Sequence, residues 1–422
     1  MYMKLRYIII TFIIGILIFL ATFKKVNEFS YIAIGDEDKF WKVQSIDTMK
    51  YSRDLSREKL EDKSFDSIID DTMKKIAATG ATHVSVGTPY DLEFLPILKR
   101  WADSARRNNL KIWFRGNWSG WEGWFGYPKI SRDKHIIMTK NFILNNPSLF
   151  KDGDIFTACP ECENGGPGDP RHNGDLYGHR VFLIKEYQMT KSAFEKIGKN
   201  VRSNFNSMNG DVAALVMDKA TTQALGGIVA VDHYVATPDK LAADIKRLSA
   251  ASGGKVVLSE FGVPIPDING EMSEFEQAKW ISGALEKLIK TSELEGLNYW
   301  VSVGGSTEIW TRRGSPRLAV QTITKFFNPE IISGFIIEES GKPITGALIK
   351  GEYASVTSGL NGHFKLPYLK DRSFKLEISA PEYLAKTYAV DPNNDKQVEI
   401  FLTKAKESLA SRFWQFIKSL FS

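Results

Sequence analysis

Short runs rich in β-branched and aromatic residues alternate with segments of helical period eight times in this chain. The predicted strands lie at 43–50, 81–88, 110–117, 153–159, 200–206, 227–235, 255–261 and 296–303. Helical segments follow at about 65–79, 92–108, 131–145, 178–198, 210–218, 238–251, 273–290 and 316–327. Apolar strands separated by helices indicate a parallel sheet that is covered on its faces. Eight such units in roughly 285 residues predict an α/β fold, a (β/α)8 or TIM barrel at 40–328.

A doubly wound open sheet is the alternative architecture for such an alternation. No G-x-G-x-x-G or P-loop motif follows the first predicted strand, which excludes the nucleotide-binding version of that fold.

The N-terminal segment 7–23, YIIITFIIGILIFLATF, carries no charge and is flanked by lysines and an arginine. At about 1.5 Å per residue, a helix of this length just crosses a hydrocarbon core of roughly 30 Å. We therefore expect residues 1–30 to form a transmembrane anchor, with the rest of the chain outside the cytoplasm. A cleaved signal peptide is the alternative, but the apolar run is long for one and no A-x-A site follows.

The charge balance and the cysteine count exclude several classes of partner. Lys and Arg total 55 against 50 Asp and Glu, and this surplus forms no basic stripe of the kind that binds nucleic acid. Cys159 and Cys162 are the two cysteines, which excludes a disulfide framework and cannot complete a four-ligand zinc site. We predict no metal and no other cofactor, and leave open whether the two cysteines form a disulfide.

Polar and aromatic residues concentrate at the carboxyl ends of the predicted strands, where a barrel of this kind builds its active site. The strand-end residues that we predict to bind substrate are Arg115, Asn117, Trp118, Trp121, Asn164, Asn204, His233, Tyr234 and Trp300. Trp118 and Trp121 belong to GNWSGWEGWFGY, a glycine-rich run in which flat indole rings could stack on sugar faces. Packing within the loop is the alternative role for these tryptophans.

Two carboxylates are predicted to end strands on different sides of the barrel. One is Glu260 in VVLSEFG, and the other is Glu161 or Glu163 in CPECEN. Two carboxyl groups about 5–5.5 Å apart serve a retaining glycosidase as nucleophile and as general acid and base. Arg115 and His233 are expected to keep the nucleophile ionised, and its charge to raise the pKa of the acid. Glu161 is favoured as the acid, with Glu163 in reserve, although each glutamate could instead be a structural ion-pair partner.

VVLSEFG at the seventh strand, VDHYV at the sixth, a tryptophan at the eighth and a glutamate after the fourth resemble a known clan. It is the clan of retaining (β/α)8 glycosidases that includes cellulases and mannanases, family 5 and its relatives. The resemblance covers about residues 43–327 and implies that Glu260 is the nucleophile and Glu161 the acid/base. It also implies roles near the sugar for His233, Tyr234 and Trp300, and a buttressing role for Arg115.

The chain departs from that clan immediately before the acid/base glutamate. The clan has asparagine there, which holds the sugar 2-hydroxyl, whereas this chain has Pro160. Asn164, Asn204 or Asn117 could supply the lost hydrogen bond, or the acid is not Glu161.

After the barrel, short predicted strands with frequent turns indicate a small all-β sandwich at 330–403. Its pattern resembles the carboxypeptidase-regulatory-like, transthyretin-like domain. The last segment, 404–422, has the period of an amphipathic helix, which could lie on a membrane surface or pack on a domain.

These patterns together predict a membrane-anchored, extracytoplasmic retaining glycoside hydrolase that acts on a β-linked oligo- or polysaccharide. A non-catalytic carbohydrate-binding or surface-assembly protein is the alternative, motivated by Pro160 and the sandwich. A metal-dependent barrel hydrolase is a third possibility.

Overall fold

The computed structural model describes residues 39–370 and 373–405. The predicted transmembrane segment 7–23, and all but the first two residues of the predicted helix 404–422, lie outside the described residues. Within the described residues, no helix is both long and apolar enough to cross a membrane.

Eight parallel strands form one sheet at the centre of the fold. They are β1 Val43–Asp47, β2 His83–Val86, β3 Lys111–Phe114, β4 Ile155–Phe156, β5 Ser207–Asn209, β6 Ile228–Asp232, β7 Lys255–Phe261 and β8 Leu294–Tyr299. They pair in the order β4-β3-β2-β1-β8-β7-β6-β5. A parallel bridge between Ile155 and Arg202 joins β4 to the segment before β5, so the sheet curls back on itself. The predicted parallel eight-stranded α/β fold is confirmed.

The fifth strand forms later in the chain than the sequence predicts. The segment predicted as this strand, 200–206, spans the seam of the barrel, where Arg202 exchanges backbone hydrogen bonds with Asp154 and Phe156. Regular pairing begins only at Ser207, opposite Ala230 of β6. The segment 200–206 therefore leads into β5 and is not itself a regularly paired strand.

Helices follow the strands and cover the outer face of the sheet. The longer ones are Asp66–Ala78, Leu95–Arg107, Arg132–Asn145, Leu176–Lys196, Gly210–Val216, Lys219–Ala224, Pro238–Ser252, Glu274–Ile289 and Leu318–Phe327. Short helical turns lie at Met49–Ser52, Ser119–Glu122, Pro170–Asn173 and Pro266–Asn269. Ser131 and Thr237 cap their helices, and Ser273 forms a capping box with Glu276. The carboxylate of Asp91 caps no helix and instead accepts hydrogen bonds from Ser119.

The interior of the barrel is filled by side chains from several strands, which form a separate apolar cluster: Val43, Trp113, Ile155, Phe205, Ile228, Ala230 and Val257. The rings of Trp113 and Phe205 meet edge to face with centroids 5.2 Å apart. The guanidinium carbon of Arg115 lies 5.8 Å from the centroid of the Trp113 ring. The apolar cluster therefore forms a floor on which the polar groups at the carboxyl ends of the strands rest.

The chain beyond the barrel forms two small sheets with a common core. The strands are β9 Glu330–Glu338, β10 Leu348–Lys350, β11 Ser355–Thr357, β12 His363–Tyr368, β13 Phe374–Ser379, β14 Lys386–Val390 and β15 Gln397–Leu402. One sheet has the order β11-β10-β13-β14 and the other β12-β9-β15. Ile336, Ile349 and Ile378 are among the buried side chains that join the two sheets. Small sheets thus form where the sequence predicts an all-β unit.

Candidate active site

Arg115 lies at the centre of the barrel mouth, one residue beyond the end of β3. Its side chain is fully buried and reaches across the barrel to β7, where Nη1 donates to Glu260 Oε1 at 2.9 Å and to the Ser259 carbonyl at 2.9 Å. Its Nη2 donates to Asp232 Oδ2 at 2.9 Å, and Asp47 lies 3.4 Å away. The structure therefore brings Arg115 to the predicted nucleophile. Complete burial contradicts direct substrate contact, so Arg115 positions Glu260.

Glu260 points into the barrel because β7 departs from regular pairing at this point. The register with β8 shifts between Leu258 and Phe261, and the register with β6 shifts beside Asp232. Such a shift re-aims side chains, so Ser259 and Glu260 both face inward: Ser259 donates to Asp232 and Glu260 accepts from Arg115. The second carboxylate oxygen, Oε2, accepts a hydrogen bond from the Tyr234 hydroxyl at 2.7 Å.

Glu161 lies in the tight turn that follows β4. Its backbone has left-handed angles, φ 45° and ψ 50°, and its N–H donates to the Ser207 carbonyl at 2.9 Å. The residues on either side of this turn, Cys159 and Cys162, form a disulfide. Left-handed geometry is costly for a residue with a side chain, so the disulfide and the bond to Ser207 hold Glu161 in a set orientation.

The charge of Glu260 acts on Glu161. Burial, and after it the negative charge of Glu260, raise the pKa of Glu161 to about 8. Burial and the charge of Asp232 likewise raise the pKa of Glu260, while Arg115 and the Tyr234 hydroxyl oppose that rise. No donor reaches the Glu161 side chain from the described residues, whereas both Glu260 oxygens have one. Because hydrogen bonds to a carboxylate favour its ionised form, Glu260 is the first of the pair to ionise.

Glu163, the reserve acid, is turned into the protein. Its side chain is buried, and Oε1 accepts from the Asn209 backbone N–H at 2.7 Å and from the Asn209 amide at 3.2 Å. Burial raises the pKa of Glu163. Glu161 keeps a partly exposed side chain, so the geometry favours it over Glu163 as the proton donor.

Tyr234 and Trp300 lie together beside Glu260. Their ring centroids are 6.1 Å apart in an edge-to-face arrangement, and the Trp300 ring is partly exposed. This agrees with the strand-end positions that the sequence predicts for them. His233 does not join this group. Its Nε2 lies 2.9 Å from Asp244 on the helix behind β6, because consecutive side chains alternate between the faces of the chain.

Trp118 and Trp121 do not form the predicted sugar platform. Both are buried: the indole of Trp118 donates to Thr139, and Trp121 stacks on Phe182 with centroids 5.0 Å apart. The burial of both rings is contrary to the predicted sugar-stacking role. The rings pack against the helices Arg132–Asn145 and Leu176–Lys196, and not only within the loop.

Two of the three predicted asparagines also face away from a substrate. Asn117 is buried and bonds to Glu122 and His135, which holds the loop after β3. The Asn204 amide donates to the Gly226 carbonyl, before β6, and so lies towards the amino ends of the strands. Asn164 is exposed in the same turn as Glu161.

The mouth carries groups that the predicted set omits. Lys50 and Arg53 follow β1, with Lys50 Nζ 5.7 Å from the Trp300 ring centroid and the Arg53 guanidinium 4.9 Å from that of Trp124. Their position directly after a strand end is the sequence signal that could have found them. Glu122 is a further, half-buried carboxyl near the site, and desolvation raises its pKa to about 7. Within residues 39–370 and 373–405, no group of three or more His, Cys, Asp or Glu side chains could hold a metal ion.

Neither a family model nor a curated protein sequence matches this chain. Its structure is similar to that of GH5_18 from Streptomyces cattleya in complex with GlcNAc, with a TM-score of 0.52 and 14% identity over 67% of this chain and 79% of that chain. A variant of that protein in complex with Manβ1-4GlcNAc gives a TM-score of 0.51 and 13% identity, over 70% and 84%. β-Glucuronidase 3 of Bacteroides uniformis gives 0.45 and 11% identity over 81% of this chain, and this chain spans only 47% of its length. The Streptomyces cattleya structures show that the barrel fold is shared.

Proposed function

We propose that this chain is a retaining glycoside hydrolase that cleaves a β-linked oligo- or polysaccharide. The observation that carries the proposal is the pair of carboxyl groups at the barrel mouth. Glu260 is held by Arg115 and Tyr234, whereas the Glu161 carboxyl accepts no hydrogen bond from any residue that the structure describes, and the charge of Glu260 raises its pKa. Two carboxyl groups in such different environments take opposite protonation states, which double displacement requires.

In the first step, the Glu260 carboxylate attacks the anomeric carbon and forms a glycosyl ester. The bond from that carbon to the departing oxygen breaks, and Glu161 transfers its proton to that oxygen. In the second step, Glu161 accepts a proton from water, which attacks the anomeric carbon and releases Glu260 as a carboxylate. Two inversions leave the anomeric configuration unchanged, and no cofactor takes part.

The chain has no asparagine before the acid, because Pro160 occupies that position. Asn164 is the candidate to bind the sugar 2-hydroxyl in its place, since its backbone N–H bonds to the Glu161 carbonyl at 2.8 Å and its side chain is exposed. Asn117 and Asn204 bond elsewhere.

We also propose that the chain acts outside the cytoplasm, anchored by residues 1–30. The uncharged run at 7–23 supports an anchor, and the disulfide between Cys159 and Cys162 supports an oxidising compartment, because cytosolic proteins rarely keep disulfides. The β-sandwich at 330–403 is then an accessory module carried on an extracytoplasmic enzyme.

The test is hydrolysis of a panel of aryl β-glycosides by the full-length protein and by two variants. We expect Glu260→Gln to abolish turnover of every substrate. Glu161→Gln should retain turnover of aryl glycosides with good leaving groups, which need little acid help, and lose it on natural glycosides. Glu286→Gln, an exposed glutamate on the outer helix Glu274–Ile289, is the matched control. Near-normal activity of the folded Glu260→Gln variant would refute the mechanism, and an inverted first product would refute retention.

Pro160 favours one alternative, a carbohydrate-binding protein that kept the barrel and lost catalysis. On that alternative the unaltered protein hydrolyses no aryl glycoside in the panel, yet still binds oligosaccharide.

A further inference from the structure

A cavity of about 200 Å³ opens beside the candidate active site, between the chain that follows β1 and the loop that follows β8. Two aromatic residues, Tyr51 and Trp310, are among its walls, and Lys75, Arg312 and Arg313 line it with Asp71. Tyr51 directly follows Lys50, whose ammonium lies over Trp300. The cavity therefore lies on the Trp300 side of the barrel mouth, and neither Glu161 nor Glu260 is among its lining residues.

The cations of this cavity outnumber its acids. Asp71 pairs with Lys75, which leaves the two arginines in excess. Arg312 and Arg313 are exposed on a turn closed by Gly314, and neither has an ion-pair partner among the residues that the structure describes. The nearby Glu308 is paired with Arg317 at 2.7 Å. The planar, charged guanidinium of arginine can donate two parallel hydrogen bonds to one carboxylate.

The opposite side of the mouth is acidic. Glu161, Glu163 and Glu122 follow β4 and β3. The charge of Glu163 raises the pKa of both Glu161 and Glu122, and the charge of Glu122 raises that of Glu161. Any of these carboxyls that is ionised repels an anionic group on a substrate, whereas the arginines attract it. The separation of charge can thus set which end of a chain-like substrate enters which side of the cleft.

Resting on the proposed function, we infer that this cavity binds a carboxylate-bearing sugar residue of the substrate, on the Trp300 side of the residue that is cleaved. At roughly 30 Å³ per water, the cavity volume equals that of about seven waters, the scale of one monosaccharide. Tyr51 and Trp310 supply apolar ring surface, and Arg312 and Arg313 bind the carboxylate. The substrate class is then an acidic, uronate-containing β-linked saccharide.

The first experiment measures binding rather than turnover, so that it stands apart from the test of hydrolysis. Full-length Glu260→Gln protein is titrated with a neutral β-linked oligosaccharide, with its uronate counterpart and with a sulfated counterpart. We expect the uronate to bind at least tenfold more tightly than the neutral saccharide, and less tightly at high salt. Equal affinity for neutral and uronate saccharides overturns the inference, and a preference for the sulfated saccharide overturns its assignment to carboxylates.

The second experiment removes the two arginine charges in Arg312→Gln/Arg313→Gln. Both side chains are exposed on a turn, so the variant is expected to fold. Its affinity for the uronate should fall roughly tenfold or more, with affinity for the neutral saccharide unchanged. Lys191→Gln/Lys196→Gln removes the same charge from an exposed face of the helix Leu176–Lys196 and should change neither affinity. Equal losses of uronate affinity in the two double variants would mean that the effect comes from net charge alone, and would overturn the proposed binding site.

If hydrolysis fails and the uronate preference persists, the proposed function falls while the site stands. If hydrolysis holds without that preference, only the site falls.

Discussion

The hydrogen bond from the Tyr234 hydroxyl to Glu260 Oε2, 2.7 Å long, gives the sharpest test of the proposed mechanism. Tyr234→Phe removes the hydroxyl and leaves the ring against Trp300. A hydrogen bond to a charged group contributes about 1.5–3 kcal/mol, and one pKa unit corresponds to about 1.36 kcal/mol. Loss of a donor that favours the carboxylate therefore raises the pKa of Glu260 by about 1–2 units.

The pH profile of kcat/KM with an aryl β-glycoside measures this shift. The acidic limb reports ionisation of the nucleophile, so in Tyr234→Phe it should move to higher pH by about 1–2 units. The basic limb reports the general acid, Glu161, whose pKa is raised by burial and by the charge of Glu260, and it should move less than the acidic limb. Tyr177→Phe, at an exposed tyrosine, is the control and should leave both limbs in place.

An acidic limb that does not move, or that moves to lower pH, would refute the assignment of Glu260 as the ionised nucleophile. Movement of the basic limb alone would mean that Tyr234 acts on the acid instead.

Three further predictions follow from the same geometry. The variant Cys159→Ser/Cys162→Ser frees the turn that orients the general acid, so kcat on substrates with poor leaving groups should fall more than on activated aryl glycosides, as steady-state kinetics will show. Desolvation raises the pKa of Glu122 to about 7, so the free energy of unfolding should fall by up to about 3 kcal/mol as pH rises from about 4.5 through 7. Glu122→Gln should make the free energy of unfolding less dependent on pH in denaturant titrations. Trp124→Ala should raise KM at unchanged stability, because the Trp124 ring is partly exposed, whereas Trp118→Ala should cost about 3–5 kcal/mol of stability in the same titrations, because the Trp118 ring is buried.

The sequence predicts the parts of the site that depend on strand order. A parallel barrel gathers the carboxyl ends of its strands at one mouth, so Arg115, Tyr234 and Glu260 could be placed together from position alone. The contacts of Arg115 and Tyr234 with Glu260 agree with that placement.

The parts that the sequence does not predict depend on partners that are distant in the chain. The glycines of GNWSGWEGWFGY indicate an exposed loop. Trp118 and Trp121 are nevertheless covered by Thr139 and Phe182, which lie on two later helices. His233 is turned outward by alternation after the register shift beside Asp232, which no local pattern announces. Such contacts are set by packing between elements and not by propensity.

The charges around Glu161 allow it to act as the acid in the first step of the proposed mechanism and as the base in the second. After burial, the charge of Glu260 is the largest cause of its raised pKa, and this charge keeps Glu161 protonated while the nucleophile is free. When Glu260 becomes an ester, that charge disappears and the positive charge of Arg115, which lowers the pKa of Glu161, is no longer balanced by it. The pKa of Glu161 must then fall, so the group that gave a proton in the first step becomes a better base for water in the second. Glu163 cannot take this role, because its carboxyl is buried against Asn209 and faces no substrate.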